Sequence, residues 1–357
     1  MARPTPASSS DRPTGRVGEP VASRRSPASA GVPGIVRVAA VVEGALRESN
    51  GDEALLRLAE WLKRPDACVW VDMAGPSPAQ VDAVGDILGL HPLIVEDVLE
   101  GNQRAKIETT DGLVHIVLFA LDRGANVAVN EVDLVLGVGY LLTVHGPEWD
   151  PRKSHHLGTD GGLVSIMARG PDHLLWAIGD DIVDGYFPYA DRLGDAIDAV
   201  QDAVIAKATP DTLESLFALK RELIEVRRAA GPTREVFNQM TNRDLSLIDP
   251  EELVYFRDIY DHVIRLTDEM DNYRELASST LDVYLTQVNN NLSVIMKRLT
   301  GVTVIVAGVA AIAGIFGMSE ATTALAGTEG GGFWVVTGAT VVAAAIATVV
   351  LRRIGWI

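Results

Sequence analysis

The sequence predicts an α+β protein in which a cytoplasmic αβα domain precedes a long stalk helix and two C-terminal transmembrane helices. Three observations support this prediction. Strand-like and helix-like segments alternate over residues 34–170. Residues 251–300 contain no Gly and no Pro. Two charge-free apolar runs, residues 299–318 and 333–351, each match the roughly 20 residues that a helix needs to cross a bilayer.

The N-terminal residues 1–33 are rich in Pro, Ser, Ala and Arg and lack the apolar core of a signal peptide, so we expect them to be disordered. Their five Arg, one Asp and one Glu give a net +3, which leaves −17 − 3 = −20 for the rest of the chain. Such an acidic chain is unsuited to nucleic acid and suits divalent cations, although ordinary solubilising surface charge explains it equally well. The single cysteine, Cys68, allows no disulfide within one chain, which fits a reducing cytoplasm.

The α/β domain, residues 34–170, contains several recognisable local signals. Val69–Val71 is typical of a strand, and Ser77–Gln80 then opens a helix as a capping box with Pro in the first turn. His91–Leu99 predicts a short helix. Val132–Leu136 and Tyr140–Val144 flank a Gly-containing turn and predict a hairpin. The order of the strands is not predictable from these signals.

The predicted stalk region, residues 171–298, is helical. Acidic residues recur at steps of mostly three or four and predict one acidic helix face, interrupted or bent near Pro188: Asp180, Asp181, Asp184, Asp191, Asp195, Asp198 and Asp202. A further amphipathic helix is predicted over residues 211–229. Residues 251–300 predict a rod of about 75 Å. The narrow apolar stripe of this rod favours helix-to-helix association, and the rod enters the first span without a break.

The membrane region is divided by charge as well as by hydropathy. Residues 299–318 are predicted as the first, pore-lining span, 319–332 as an external loop, 333–351 as the second span, and 352–357 as a basic cytoplasmic tail. One basic pair, Lys297 and Arg298, precedes the first span, and another, Arg352 and Arg353, follows the second. The loop has no Lys or Arg, so both termini are predicted to be cytoplasmic. The alternative is that the two runs are buried helices of a soluble protein, and the length of the runs argues against it.

Several short motifs, in order and spacing, resemble the CorA family of divalent-metal transporters from about residue 70 to the C-terminus. They are His91-Pro92-Leu93 with Glu96-Asp97; Gln103-Arg104 with Lys106; Tyr255-Phe256-Arg257-Asp258 with Tyr260-Asp261-His262; Met296-Lys297-Arg298-Leu299-Thr300; Gly314-Ile315-Phe316-Gly317-Met318; and the basic, Trp-containing tail of residues 352–357.

The resemblance implies a funnel-shaped homopentamer in the inner membrane, with the first spans lining a pore, the second spans contacting lipid, and cytoplasmic domains sensing divalent ions. It implies uptake of Mg²⁺, with Co²⁺ as a second cargo, gated by intracellular divalent ions, and Mg²⁺ as both cargo and regulator. The membrane potential supplies about 4.6 kcal/mol per 100 mV for a divalent ion. We therefore expect no enzyme activity, no organic cofactor and no ATP site, and the sequence has no phosphate-binding Gly-Lys-Ser/Thr loop.

The resemblance assigns a row of residues to the pore and its selectivity: Gly317, Met318, Ser319 and Glu320 at the mouth, Gly314 and Thr300 along the pore, and Leu299, Met296 and Ser293 towards the cytoplasm. The mouth departs from the family signature, because Gly-Met-Ser replaces Gly-Met-Asn. A serine hydroxyl replaces an amide that accepts and donates hydrogen bonds. Glu320 would add a ring of negative charge.

Asp97 and Asp258, with Glu96 as a weaker candidate, match the acidic residues that bind a regulatory ion between neighbouring subunits in the family. Two adjacent carboxylates repel unless a cation or a proton neutralises them, so an ion would clamp the subunits together. In the structural alternative, Asp97 caps a helix or pairs with Lys106 or Arg104, and Asp258 is a solvated charge on the stalk.

Two other functions remain open at this point. A transporter of Zn²⁺, Co²⁺ or Ni²⁺ resembling the ZntB branch also departs from the Gly-Met-Asn signature. A membrane-anchored acidic metal sensor that conducts nothing is the other alternative. The sequence leaves open which ion crosses, whether transport is passive or proton-coupled, and whether the Gly-Met-Ser pore conducts.

Overall fold

The computed structural model describes residues 34–121, 129–316 and 329–356. Its strands are β1 (Ile35–Val42), β2 (Ala45–Asn50), β3 (Cys68–Ala74), β4 (Lys106–Thr110), β5 (Leu113–Leu121), β6 (Val129–Gly137) and β7 (Tyr140–His145). Its α-helices are α1 (Asp52–Trp61), α2 (Pro78–Leu88), α3 (Pro92–Glu100), α4 (Asp160–Met167), α5 (Pro171–Asp184), α6 (Phe187–Ala206), α7 (Pro210–Asn242), α8 (Leu253–Phe316) and α9 (Glu329–Arg353). A 3-10 turn covers Pro151–Lys153.

The strands form one mixed seven-stranded sheet in the order β2-β1-β3-β7-β6-β5-β4. Only the central pair of strands, β3 and β7, is parallel, and the other five pairings are antiparallel. The predicted hairpin is confirmed as β6 and β7. Strand β4 lies at the edge of the sheet, with Glu108 directly opposite His115 of β5.

One face of the sheet packs against α1, α2 and α3. Alternate strand residues such as Val38, Val71 and Leu142 are at most 1% exposed and meet apolar side chains of the three helices. Every second residue of a strand points to this face, and apolar residues three or four positions apart on α2 and α3 point towards it. Together they form a continuous apolar core. The α4 and α5 helices pack on strands of the same sheet, which completes the predicted αβα arrangement.

The local signals for α2 and α3 are confirmed. The Ser77 side chain accepts from the backbone N–H of Gln80, whose own side chain accepts from the Ser77 backbone N–H. His91 is the N-cap of α3, where its Nδ1 accepts from the Leu93 N–H at 3.2 Å. Each helix ends at a glycine in the left-handed conformation, which lacks the steric penalty of a side chain.

A buried polar network connects β3 and β7. The Asp72 carboxylate accepts from the Thr143 hydroxyl at 2.7 Å and from His145 Nε2 at 3.0 Å. The indole N–H of Trp70 donates to the same hydroxyl at 3.2 Å. Arg37 Nε lies 3.8 Å from Asp72 on the other side. A charge is therefore accommodated inside the sheet by hydrogen bonds and a neighbouring cation.

The helical region departs in detail from its prediction. Gly185 and Tyr186 separate α5 from α6, so the interruption expected near Pro188 is confirmed, with Pro188 in the first turn where proline is tolerated. The helix predicted over residues 211–229 is longer, since α7 reaches Asn242 with Pro232 inside it. The predicted acidic face is incomplete, because Asp180 is buried and bonded to His156 rather than exposed with the α6 aspartates.

Two compact units are distinguished by the contacts within the chain. One includes the chain up to Gly194 together with Arg221–Arg274, and the other comprises Asp195–Lys220 and Glu275–Ile357. The domain limits predicted at residues 170 and 298 therefore differ from these divisions, and they stay predictions.

Helices α8 and α9 are long and apolar enough to cross a membrane. Helix α8 has 64 residues, a length of about 96 Å, so the predicted rod continues through most of the first span as one helix. The most apolar window of α8 is 6% buried within the chain, and that of α9 is 0% buried. A core helix of a soluble protein would be mostly buried, so the soluble-core alternative is disfavoured. Residues 319–328 of the predicted external loop lie outside the described residues, and residues 329–332 form the first turn of α9, so this helix begins before the predicted start of the second span at residue 333.

Candidate ion pathway and regulatory site

A row of small or hydroxylated residues follows one stripe of α8. Ser293, Thr300, Ala307 and Gly314 are seven residues apart, and seven residues turn a helix through nearly two full rotations. All four are exposed in the single subunit. The stripe combines hydroxyl oxygens with minimal bulk, which is suitable for lining a narrow aqueous path. It contains three of the predicted pore residues.

Met296 and Leu299, predicted to lie towards the cytoplasmic end of the pore, are each 58% exposed in the subunit. Large apolar side chains exposed along a membrane-length helix require a partner, which is lipid or another protein chain. Ser293 donates its hydroxyl to the Asn289 carbonyl at 3.0 Å, which leaves the hydroxyl oxygen as an acceptor towards the stripe. The predicted mouth residues, Gly317 to Glu320, lie outside the described residues.

Asp97 on α3 has partners within its own subunit. Its Oδ2 lies 2.6 Å from Lys106 Nζ, and its Oδ1 accepts from Gln103 Nε2 at 3.2 Å. Lys106 also contacts Glu108 at 2.9 Å. Burial would lower the pKa of Lys106, but the bonds from the two carboxylates outweigh it and raise that pKa. Of the structural alternatives, the pair with Lys106 is observed, and helix capping is performed by His91 instead.

Asp258 lies on α8 with its side chain 69% exposed, 4.0 Å from His262 Nε2 one turn later. The other ring nitrogen of His262 is 4.0 Å from Asp184. One oxygen each of Asp180 and Asp184 and one nitrogen of His262 lie within 4.8 Å of one another. Burial, and then the charge of Asp180, raise the pKa of Asp184. This donor set of two carboxylates and an imidazole suits a divalent cation.

Asp97 belongs to a separate group of possible metal ligands. One ligand atom each of Asp97, Glu108 and His115 lies within 4.8 Å of the others. Within the described part of one subunit, Asp97 belongs to this group, whereas Asp258 adjoins the other group through His262. Glu96 is exposed on α3 next to Asp97. Sequence reasoning missed Asp180, Asp184, His262, Glu108 and His115 as possible ligands, although the four-residue spacing of Asp258 and His262 was a detectable signal.

The family model described as CorA-like Mg²⁺ transporter protein matches residues 65–353, most of the chain. This chain belongs to the CorA family. Among its relatives is the cobalt/magnesium transport protein CorA of Thermotoga maritima, 34% identical over 257 residues, covering 70% of this chain and 72% of that protein. The putative metal ion transporter YfjQ of Bacillus subtilis is 30% identical over 265 residues, or 73% of this chain and 81% of the relative.

Solved structures confirm the CorA fold. The complete CorA magnesium transporter of Methanocaldococcus jannaschii superposes with a TM-score of 0.72 at 23% identity, covering 91% of this chain and 99% of that one. The ZntB cytoplasmic domain of Vibrio parahaemolyticus reaches 0.57 at 12% identity, covering 72% of this chain and 100% of that domain. Both likenesses concern the fold alone.

Part of the CorA resemblance reflects structure rather than ion binding. Phe256, in the motif that contains Asp258, is fully buried. Tyr255 in the same motif stacks edge-on to His173 and accepts a hydrogen bond from Arg169. Both His173 and Arg169 also contact the buried Glu252, at 2.7 Å each. This polar cluster attaches the start of α8 to α5, so these matched residues position Asp258 rather than hold an ion.

Proposed function

We propose that this chain is a membrane transporter of divalent cations, with Mg²⁺ as the main cargo and Co²⁺ as a second one, acting as a homopentamer. The observation on which the proposal depends is the seven-residue stripe of α8, from Ser293 to Gly314, on an apolar helix that is unburied in one subunit. Two spanning helices cannot enclose a pore alone. Five copies of the stripe around an axis would do so and would bury the exposed apolar residues.

The proposed path needs no energy source other than the membrane potential. Inward movement of a divalent ion gains about 4.6 kcal/mol per 100 mV of inside-negative potential. Mg²⁺ dehydrates reluctantly, so a path lined by hydroxyls and small residues would conduct it with water still bound. Met296 and Leu299 would form apolar constrictions that stop conduction when they dewet.

We place the main mass of the chain on the cytoplasmic side of the inner membrane, with both termini inside. Support comes from the basic residues at the ends of the two spans, Lys297 and Arg298 before the first and Arg352 and Arg353 after the second, and from the positive-inside rule.

Regulation is proposed to occur through Asp97 and Asp258 of neighbouring subunits, with Glu96 nearby and Mg²⁺ between them. The exposure of Asp258 supports this role, because its carboxylate is available to a second subunit. The cluster of Asp180, Asp184 and His262 adjoins Asp258 and would extend the same site. An ion bound there would favour the closed assembly, and loss of the ion would allow the assembly to open.

The test is ion-resolved flux into liposomes containing the purified full chain, with Mg²⁺, Co²⁺ and Zn²⁺ compared at the same imposed potential. We expect Mg²⁺ and Co²⁺ uptake that rises with inside-negative potential. The Gly-Met-Ser signature favours one second candidate, a Zn²⁺ transporter, and uptake of Zn²⁺ without Mg²⁺ would establish it. Absence of flux for every cation would instead favour a non-conducting sensor.

A further inference from the structure

A histidine buried in the sheet has one ring nitrogen that the surrounding fold does not use. His115, near the start of β5, is 1% exposed, and its Nε2 lies 3.0 Å from Asp133 Oδ1. Its Nδ1 is buried and has no hydrogen-bond partner among the described residues. With the Nε2 proton donated to Asp133, the neutral ring has its lone pair on Nδ1. A buried lone pair without a donor is unfavourable unless another group binds it.

Two carboxylates lie beside this imidazole. Glu108 is directly opposite His115 across the β4–β5 pair, so both side chains are on the same face of the sheet. Asp97 approaches from α3, and one ligand atom each of the three residues lies within 4.8 Å of the others. Since Nε2 is already bonded to Asp133, Nδ1 is the nitrogen that remains for a ligand.

The ammonium of Lys106 lies between the same carboxylates, 2.6 Å from Asp97 and 2.9 Å from Glu108. This ion pair neutralises the two acids, but the hydrogen bonds of the ammonium go to the carboxylates, and His115 Nδ1 stays without a partner among the described residues. The Lys106 side chain is 18% exposed at the edge strand, and that of Glu108 is 55% exposed. The cluster therefore reaches solvent at the sheet edge through Glu108.

We propose that His115, Glu108 and Asp97 form a binding site within each subunit for a transition-metal dication such as Zn²⁺ or Co²⁺, with Lys106 as a tethered cation that occupies the carboxylates until the ion replaces it. Zn²⁺ accepts imidazole nitrogen and carboxylate oxygen ligands, and three protein ligands with a water in the fourth position complete its coordination. The hydrogen bond from His115 to Asp133 is the arrangement that orients and strengthens a ligating histidine. Nitrogen ligation favours Zn²⁺ and Co²⁺ over Mg²⁺, which prefers oxygen alone.

This site is distinct from the proposed pore and from an ion shared with Asp258. A transition-metal ion bound here would withdraw Asp97 from any contact with a neighbouring subunit. The site does not depend on transport, so its presence can be tested even if the chain conducts nothing.

The test is equilibrium dialysis of the purified full chain in detergent against Zn²⁺ in a large excess of Mg²⁺. Magnesium saturates sites made of oxygen ligands. All samples have His262→Gln, which removes the imidazole of the other cluster. We expect the background chain to retain Zn²⁺ and Glu108→Gln and His115→Gln to lose at least about tenfold in affinity, while Asp133→Asn loses about 10- to 100-fold. Asp86→Asn, an exposed acid on α2, is the control and should change nothing.

Lys106→Met tests the role of the lysine. This change removes the ammonium that competes with Zn²⁺ for the two carboxylates, so the affinity for Zn²⁺ should rise about tenfold. If these residues form only an ion-pair cluster, the chain retains no Zn²⁺ in excess Mg²⁺, or Glu108→Gln retains as much Zn²⁺ as the background chain. Either result overturns the proposal. Should His115→Gln fail to fold, Glu108→Gln at the exposed edge still decides it. Unchanged binding in Lys106→Met would refute the displacement of the lysine.

Discussion

Asp72 is a carboxylate held inside the sheet by residues of three strands. Burial, the largest single cause, would raise its pKa, but the hydrogen bond and charge of His145, the hydrogen bond from Thr143 and the charge of Arg37 together outweigh it, so the pKa of Asp72 lies below its ordinary value. A depressed pKa means that the folded state binds this proton less tightly than the unfolded chain does. The group therefore stabilises the fold above the unfolded pKa of about 3.9, and this contribution is lost as the pH falls through the lower, folded value.

We expect Asp72→Asn to lower the free energy of unfolding at neutral pH by about 1–3 kcal/mol, because it removes the charge that His145 and Arg37 balance. The difference from the unsubstituted chain should shrink below about pH 4. Thermal unfolding of the two proteins across pH measures it, with Asp86→Asn as the exposed control. A difference that is independent of pH would show that packing, and not charge, is lost.

Ser319 takes the place of the Asn in the Gly-Met-Asn signature of the CorA resemblance, and the chemistry of the two side chains predicts how this change affects Mg²⁺ binding. One hydroxyl offers fewer hydrogen bonds to a hydrated ion than an amide does. Ser319→Asn should therefore raise the apparent Mg²⁺ affinity of uptake several-fold, where 1.4 kcal/mol corresponds to about tenfold. Glu320→Gln should reduce the rate for every cation, most at low ionic strength, since a ring of charge acts through its field. Loss for one ion only in Glu320→Gln would instead indicate direct ligation.

Helix α8 includes both the predicted stalk rod and the proposed pore stripe. Thr300→Val replaces a hydroxyl on the stripe by a methyl group of similar size. We expect a fall in Mg²⁺ flux of roughly five-fold, equivalent to one hydrogen bond of about 1 kcal/mol. The matched control is Thr348→Val on α9, whose hydroxyl bonds to the Ala344 carbonyl of its own helix. Equal losses in the two variants would contradict the assignment of α8 to the pore.

Assembly is the first property of the whole molecule to be tested. The exposed apolar residues of α8, such as Met296 and Leu299, need neighbours, and five copies around an axis would supply them. We expect the detergent-solubilised chain to have the mass of a pentamer after subtraction of bound detergent. A monomer or dimer at working concentration would refute the pore model.

The proposed regulation of the whole assembly depends on Asp97 and Asp258. Changing both to Asn should reduce Mg²⁺-dependent protection of the protein from protease and should raise flux at high Mg²⁺ on the cytoplasmic side. Because Asp97 also pairs with Lys106, the matched control is Lys106→Met, which breaks this pair and keeps the carboxylate. Loss of protection in the control as well would mean that the ion pair stabilises the domain. Unchanged protection in the double variant would indicate solvated charges.

Much of this architecture follows from neighbouring residues alone. The cap at Ser77 and Pro78, the helix after His91, the β6–β7 hairpin and the long apolar helices are determined by interactions over a few positions, and each was predictable. The CorA resemblance likewise depended on short motifs in a fixed order. The limits of α7 were less predictable, because Pro232 is accommodated inside a helix that tertiary packing stabilises.

Only the tertiary structure decided the sheet order and the clusters that depend on it. His115 meets Glu108 through strand register, and Asp97 reaches them from a helix that precedes both strands. Asp180 and His262 are 82 positions apart in the sequence and come together only when α5 packs against α8. Side-chain identity and local periodicity specify helices and spans, whereas the meeting of distant charged groups depends on how those elements pack, since no local pattern records it.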